Sequence, residues 1–416
     1  MSRLTISLLA IVFLAKDFVP PDQISYDEVP GFRAIAGTEI LEWHQISTPP
    51  SSEPTVAASL DAPKGLRLRW LGTAGFEISD DQTAILIDPF VSRPDFVQAL
   101  VPLIKLKIDT EAVDRYVIDP MKASGTFSNL RAILVSHPHH DHAEDVPYIL
   151  SRFPRVSFAL RDIRPLVVGD RNLAALLKAY DGQEKQIPWL QGVERLSSGR
   201  RQIIQFDKKL MKRLREGRKP ADGKPLGRPI EGDFGNFRIT AFIGEHGLYD
   251  DTTFTLDGTL WGKAPLAGAQ YRAYLNSSLT YLIEYVVAGK TKLRIFAADG
   301  ARSLAQKDVS REVAAGGPLD ILLQGIAARN KENAIPARIE GFQPKYFIPT
   351  HYDNFFVPFT EFRNFDFTIQ MQTDNSALVD FLRTFSKTAE KSPGTRLRMM
   401  KMFYYYSLEN LLEANH

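Results

Sequence analysis

The segment from residue 136 to residue 142 reads Ser-His-Pro-His-His-Asp-His, and it constrains this chain more than any other stretch. It holds four of the eight histidines, with an aspartate between the last two. The apolar run at 132–135 in front of it predicts a buried strand. Asp145 and Pro147 behind it predict a helix start, with Asp145 as N-cap. We therefore expect the cluster to lie on a loop between a core strand and a helix.

The spacing of these side chains suits a metal. His137 and His139 are two positions apart, so in extended backbone they point the same way. The following turn brings Asp141 and His142 to a second point nearby. Imidazole nitrogen and carboxylate oxygen are ligands that zinc, and also manganese or iron, accept at about 2.0–2.2 Å. One tetrahedral ion cannot easily bind all four of these side chains together with a water molecule. Two ions can do so, if distant parts of the chain add further ligands. The alternative is a surface histidine cluster or a tag, but a tag lies at a terminus and lacks the flanking strand.

Composition narrows the class of protein. With 416 residues and 44% hydrophobic side chains, the chain can form two or three domains or one large fold with insertions. Its net charge of +2 is too weak to indicate a nucleic-acid partner. It has no cysteine, which excludes disulfides, thiolate ligands and a cysteine nucleophile. Any metal must be held by nitrogen and oxygen.

The first 15 residues resemble an export signal. Arg3 precedes an apolar run from Leu4 to Ala15, which is too short to span a bilayer comfortably as a helix. Phe13 stands where a cleavable signal needs a small residue, so an uncleaved anchor, or an ordinary segment of a cytoplasmic protein, stays open. We predict an exported, periplasmic or membrane-anchored protein. The predicted organisation is a linker or arm at 16–64 and a folded domain at 65–416, with insertions near 93–128, 162–232 and 248–276.

Further candidate ligands follow predicted strands. His246, Asp299 and His351 each stand just past the end of an apolar strand, and a rigid sheet gathers such positions at one rim. Asp88 also ends an apolar strand, where burial is unfavourable unless the carboxylate is bonded, so it could orient a metal ligand from behind. His140 is predicted to be a spacer that points away.

These motifs resemble the metallo-β-lactamase superfamily. The matching segments, in the order found in that family, are Ile87-Asp88-Pro89, the 136–142 cluster, Glu245-His246-Gly247, Ala298-Asp299-Gly300 and Pro349-Thr350-His351-Tyr352-Asp353. The phrase from Trp70 to Phe76 and the ending His351-Tyr352-Asp353 resemble the branch that contains ascorbate-phosphate lactonases and N-acyl-phosphatidylethanolamine phospholipase D.

The resemblance implies an α/β fold, a four-layer αββα sandwich with the site on one rim of the paired sheets and with long loop insertions. It implies two divalent metal ions, zinc before manganese or iron. The first ion would be held by His137, His139 and His246. The second would be held by Asp141, His142 and His351, with Asp299 bridging the ions and Asp88 behind the ligands. Histidine rather than glutamate at position 139 argues against the di-iron, oxygen-reducing branch.

The implied activity is that of a binuclear metal-dependent hydrolase. A metal-bridging hydroxide would attack an ester, lactone or phosphodiester bond of a small-molecule or lipid-like substrate, and Asp141 would bind metal and orient the nucleophile. The leaving-group acid stays open between Tyr352, His140 and a metal-bound water. One alternative is a nucleic-acid-processing nuclease that uses the basic run at 208–218, although the near-neutral charge disfavours it. That run is otherwise a solvated face, or a contact for an anionic membrane surface. The other alternative is a non-catalytic binding protein, which the complete ligand set disfavours.

Overall fold

The computed structural model describes most of the chain beyond residue 63. The described residues are 64–100, 104–153, 164–205, 210, 225–244, 262–271, 278–298, 306–326, 334–353, 355–356, 358–359, 381, 384–385, 388, 392, 394–398, 400 and 402–409. The predicted export segment lies outside them, as does the arm except for Lys64 and the basic run except for Leu210. Within these ranges, no helix has the length and apolar character needed to cross a membrane.

Among the residues that the structure describes, the strands form two mixed sheets of seven strands each, which make up the centre of the fold. The first has the order β14-β1-β2-β3-β4-β5-β6, and the second has the order β13-β12-β11-β10-β9-β8-β7. The strands of the first sheet are β1 Arg67–Gly72, β2 Gly75–Ser79, β3 Ala84–Ile87, β4 Leu130–Leu134, β5 Leu166–Gly169, β6 Arg201–Ile203 and β14 Tyr405–Ser407. Those of the second are β7 Arg228–Pro229, β8 Phe237–Gly244, β9 Ser278–Val287, β10 Lys290–Ala298, β11 Ile321–Gly325, β12 Tyr346–Thr350 and β13 Arg396–Leu397.

Burial of both faces explains the apolar runs that were predicted as strands. β3 is buried along its whole length, and β4 is buried except at one position, Arg131. The two strands pair in parallel in the middle of their sheet, where both faces are covered and a continuous apolar sequence is favoured. The carboxyl ends of parallel strands lie at one edge of a sheet, so the residues after β3 and β4 come together there.

The two sheets pack face to face. Tyr281 on β9 donates its hydroxyl to the carbonyl of Val135, just past β4, at 2.7 Å. Leu279 donates its backbone N–H to Ser136 at 2.7 Å. Residues of both sheets, among them Phe76 and Leu323, line one small pocket between the sheets. The start of β9 therefore lies against the segment that opens the histidine cluster.

Short helices accompany the sheets. They are α1 Phe96–Leu100, α2 Thr110–Val113, a π-helical turn at Asp114–Ile118, α3 Asp119–Ala123, α4 His140–Ala143, α5 Val146–Ser151, α6 Arg171–Tyr180, α7 Gly268–Tyr271, α8 Gln306–Ala315 and α9 Ala334–Phe342. Two 3₁₀ turns lie at Pro188–Leu190 and Leu196–Ser198. The Asp170 carboxylate caps α6 by accepting from the N–H groups of Asn172 and Leu173 at 2.8 and 3.1 Å, and α6 contacts β5 and β6.

The predicted α/β class with two paired sheets is confirmed, whereas the predicted N-cap at Asp145 is wrong. The described part of the segment 162–232, predicted as an insertion, contains α6 and two strands of the first sheet. The described residues near 395–406 form β13 and β14, which belong to different sheets. Asp145 precedes α5 but makes no capping bond there. Its carboxylate accepts instead from Val91 and Ser92, because these residues lie beside it in space.

Candidate metal centre

The candidate ligands lie at the carboxyl-terminal rim of the sheets. Asp88 follows β3, the histidine cluster follows β4 and His351 follows β12. Asp88 is tied to β4 by its N–H, which donates to Leu134 at 2.9 Å. His351 is tied to the first sheet by its N–H, which donates to Thr73 in the turn between β1 and β2 at 2.9 Å. Residues more than 200 positions apart in sequence are thereby held at one place.

Three predicted ligands form a compact group. One donor atom each from Asp141, His142 and His351 lies within 4.8 Å of the other two. The Oδ2 atom of Asp141 is 3.2 Å from Nε2 of His351 and 3.7 Å from Nε2 of His142. Burial on its own would raise the pKa of Asp141, but the imidazoles of His142, His351 and His140 outweigh it and hold that pKa well below its usual value. The carboxylate is therefore charged and available to a cation.

His137 and His139 lie directly beside this group. Their rings are 4.5 Å apart, and the His137 ring is 4.0 Å from that of His142. Both residues are buried, as are Asp141 and His142. Ser136 places its hydroxyl 3.0 Å from Nδ1 of His137, which leaves Nε2 of that ring to face away from the serine. Four neighbouring side chains of the cluster thus present nitrogen and oxygen donors at one rim.

Asp88 lies behind the cluster, as predicted for a residue that orients a ligand. Its Oδ2 atom is 3.0 Å from Nδ1 of His142, and its Oδ1 atom accepts the backbone N–H of Ser136 at 2.7 Å. A carboxylate at Nδ1 favours the tautomer that carries its proton there, so Nε2 keeps its lone pair. That Nε2 is the atom that faces Asp141.

His140 and Tyr352, the two side chains proposed as the acid that protonates the leaving group, are both buried. The His140 ring lies between aromatic residues, with ring centroids 5.9 Å from Phe90 and 6.3 Å from Phe356, and its Nδ1 is 3.8 Å from Oδ1 of Asp141. His140 is only 6% exposed, so its side chain lies within the protein, and its predicted role as a spacer stays a prediction. Tyr352 donates its hydroxyl to the carbonyl of Met400 at 3.4 Å, and its ring packs 5.0 Å from that of Trp70.

Sequence reasoning missed charged residues that surround the cluster. Arg93 and Asp353 form a buried ion pair beside His351. Glu144 is fully buried one turn beyond His140, and its burial, with Asp145 and Asp141 nearby, raises its pKa well above the usual value. The position of Asp353 two residues after His351 was the available signal, whereas nothing in the sequence shows that Arg93 meets it.

His246 and Asp299 lie outside the described residues, so their roles stay predictions. The strands in front of them do end at this rim. β8 and β10 run in the same direction on either side of β9, and Gly244 pairs with Ser278 at the start of β9. The neighbouring Leu279 is bonded to Ser136, beside His137. Gly244 and Ala298, the last described residues before His246 and Asp299, therefore lie at the edge of the sheet that carries the histidine cluster.

The donor set fits divalent metal ions. Imidazole nitrogens and one charged carboxylate converge, and an aspartate stands behind one imidazole in the arrangement that metal-binding histidines usually have. Mg²⁺ and Ca²⁺ prefer all-oxygen ligands, so the histidines favour zinc, manganese or iron. Among the residues the structure describes, Asp141, His142 and His351 are the potential ligands whose donor atoms lie close enough together to hold one ion, within 4.8 Å of one another.

Comparison with known proteins finds likeness only among solved structures. A metallo-hydrolase from the archaeon Ignicoccus hospitalis is 14% identical, with 81% of this chain and 95% of that chain covered and a TM-score of 0.42. A di-iron β-hydroxylase from Streptomyces venezuelae is 13% identical at a TM-score of 0.41, covering 82% of this chain but only 53% of the other. The metallo-β-lactamase SMB-1 is 14% identical, with 86% and 98% covered and a TM-score of 0.31. No protein-family model and no curated protein matches the chain.

Likeness at TM-scores below 0.5 and at 13–14% identity carries no argument about the family or the site. The site is therefore assigned from the side chains of this chain and from the order of its motifs.

Proposed function

We propose that this chain is a binuclear metal-dependent hydrolase with the metallo-β-lactamase fold. The observation that carries the proposal is the convergence of Asp141, His142 and His351, whose donor atoms lie within 4.8 Å of one another. His351 is more than 200 positions from the other two in the sequence. Four further ligands are proposed to complete the site: His137, His139, His246 and Asp299. Zinc is the metal proposed first, with manganese or iron as alternatives.

Each residue has one task in this proposal. His137, His139 and His246 would hold one ion. Asp141, His142 and His351 would hold the other, and Asp299 would be a ligand of both. Asp88 keeps the proton of His142 on Nδ1, so that Nε2 is available. Such ions, when bound, lower the pKa of a coordinated water and polarise the bond that is attacked. Asp141, the charged carboxylate at the centre of the group, orients the attacking water through its second oxygen.

The proposed substrates contain an ester, lactone or phosphodiester bond in a small or lipid-like molecule. Small molecules are proposed because the chain is nearly neutral: its net charge of +2 is too small to indicate a basic surface that binds a nucleic acid. The narrower branch of ascorbate-phosphate lactonases and N-acyl-phosphatidylethanolamine phospholipase D is proposed only from the sequence phrases around Trp70 and His351. Location outside the cytoplasm or at a membrane surface is likewise proposed only from the sequence.

Activity on a panel of substrates tests the proposal. Purified full-length protein, supplied with zinc or manganese, is assayed on bis-p-nitrophenyl phosphate, an aryl ester and a lactone. We expect hydrolysis of one class, and we expect His137→Ala and Asp299→Ala to lose it and to bind less metal while they remain folded. Asp170→Asn is the matched control, because it lies at the start of α6 and retains the capping oxygen. Full activity in either ligand variant would remove that residue from the site.

A further inference from the structure

One short loop contacts both chain segments that supply the group of Asp141, His142 and His351. It runs from Asp88, which holds His142, to Arg93, which holds Asp353 two residues beyond His351. In between, the N–H groups of Val91 and Ser92 donate to one oxygen of Asp145 at 2.6 and 3.0 Å. The loop is therefore fixed at its start, in its middle and at its end.

The pair at the end of this loop is deeply buried. Arg93 is 2% exposed and Asp353 is 1% exposed, and an Nη2 hydrogen of Arg93 is donated to Oδ2 of Asp353. The guanidinium lies over the ring of Phe359, with Cζ 3.8 Å from the ring centroid. Gly72 has a φ of +94°, and a Cβ there would collide with Nη2 of Arg93. Glycine at this position lets the guanidinium approach the backbone closely.

Asp353 is connected through hydrogen bonds to His351, one of the candidate metal ligands. Its second carboxylate oxygen accepts the N–H of Thr73 at 2.9 Å. The carbonyl of Thr73 in turn accepts the N–H of His351, also at 2.9 Å. A continuous series of bonds thus runs from the guanidinium of Arg93 to the backbone of His351.

The backbone along this series is strained. Thr73, Arg93 and His351 have positive φ angles of 49°, 32° and 59°, although none of them is glycine. A β-branched residue such as threonine is rarely found in that region. Such conformations persist where the surrounding contacts hold them, and they cluster at functional sites.

We propose that the Arg93–Asp353 pair is a positioning device, which fixes His351 opposite Asp141 and His142 before a metal binds. This inference rests on the proposed function. Stability alone does not explain the pair, because a buried ion pair is often replaceable by apolar residues without loss of stability. Neither side chain touches the metal in this proposal. Both act through the backbone of His351, so the property that depends on them is metal affinity.

Two variants test the device in the full-length protein. Asp353→Asn keeps an oxygen for Thr73 but loses the charge that faces Arg93, and Arg93→Lys keeps a cation but loses the planar fork that binds the carboxylate. The affinity for Zn²⁺ is measured by competition with a chelator, and the melting temperature is measured in EDTA. We expect Asp353→Asn to bind the zinc ion assigned to His351 about 10- to 100-fold less tightly, as for residues behind metal ligands. Arg93→Lys should show a smaller loss in the same direction, and it decides the matter if Asp353→Asn does not fold.

Glu77→Gln is the matched control. Glu77 pairs with Arg69 at 2.6 Å, the two side chains are 0% and 1% exposed, and the described partners of Glu77 include no candidate ligand. It should lower the melting temperature without changing zinc affinity. The inference is overturned if the folded variants at Asp353 and Arg93 bind zinc like the wild type, or if Glu77→Gln weakens zinc binding equally. A wild-type chain that binds no zinc, manganese or iron would overturn the proposed function itself, and the inference with it.

Discussion

Asp88 joins two parts of the site with the two oxygens of one side chain. One oxygen accepts the N–H of Ser136 at 2.7 Å, and the other lies 3.0 Å from Nδ1 of His142. In Asp88→Asn the amide can keep the first bond, but it then turns an NH₂ group toward the N–H of the imidazole. We expect metal affinity to fall roughly 10- to 100-fold, as measured by chelator competition.

Asp80→Asn is the control for that prediction. Asp80 is also a buried aspartate beside β3, but it accepts from Gln82 and Thr83 in the turn after β2. Its replacement should leave metal affinity unchanged. Equal losses in the two variants would mean that Asp88 acts only through general stability.

Asp145 makes stability depend on pH. Burial raises its pKa to about 7, against the opposing effect of the hydrogen bonds from Ser92 and Val91. In the unfolded chain an aspartate has a pKa of about 3.9, so between roughly pH 4 and 7 the folded state binds more protons. Stability due to this group is therefore complete below pH 4 and is lost as the pH rises toward 7.

Asp145→Asn should remove that part of the pH dependence. The difference in unfolding free energy between variant and wild type should move in favour of the variant by roughly 2–3 kcal/mol from pH 5 to pH 7. Chemical denaturation in EDTA at several pH values measures it. A difference that stays constant with pH would mean that Asp145 is ionised in the folded protein throughout this range.

Single residues differ in how far their sequence neighbourhood reveals them. Asp88 was predictable because a carboxylate at the end of an apolar strand needs a partner. Asp145 was misassigned as a helix cap, because its partners Val91 and Ser92 are more than 50 positions away. Arg93 has no local signal at all, since its partner Asp353 is brought to it only by the packing of the two sheets.

Among the secondary-structure elements, the strands with uninterrupted apolar sequences were the ones that could be predicted. β3, β4 and β12 are buried along nearly their whole length, so their sequences alone indicate strands. β6 has no such pattern, because it is a three-residue edge strand that is largely exposed. It is a strand because it pairs with β5, and β5 is only four residues long.

The insertion near 93–128 docks on the first sheet through a buried polar network. Glu77 on β2 accepts from Thr126 at 3.0 Å and from Tyr405 at 3.0 Å, while its partner Arg69 donates to the carbonyl of Tyr116 at 3.2 Å. Sequence patterns do not reveal this docking, since it depends on charged side chains at positions that read as an ordinary alternating strand.

Helix α6 offers a test of stability that is separate from the metal. Asp170→Ala removes the oxygen that accepts from Asn172 and Leu173, so the unfolding free energy should fall by about 1 kcal/mol. Urea denaturation measures the change, and Asp170→Asn should recover most of it. Zinc affinity should be equal in all three proteins. An alanine variant as stable as the wild type would show that the cap is not needed.

At the scale of the whole molecule, the order of the motifs predicted the paired sheets and the common rim. The roles of His246 and Asp299 stay predictions, although the strands before them end at this rim, at Gly244 and Ala298. Substrate identity could not be predicted in the same way. Specificity depends on loops and insertions, whose conformation follows from long-range contacts rather than from local periodicity.

Metal content per chain tests whether the candidate centre binds two ions. Full-length protein is loaded with zinc, freed of excess metal and measured by elemental analysis, beside His142→Ala and His137→Ala. We expect about two ions per wild-type chain and about one in each variant, because each histidine is proposed to bind a different ion. A folded wild-type chain without zinc, manganese or iron, or histidine variants that retain the full complement, would contradict it.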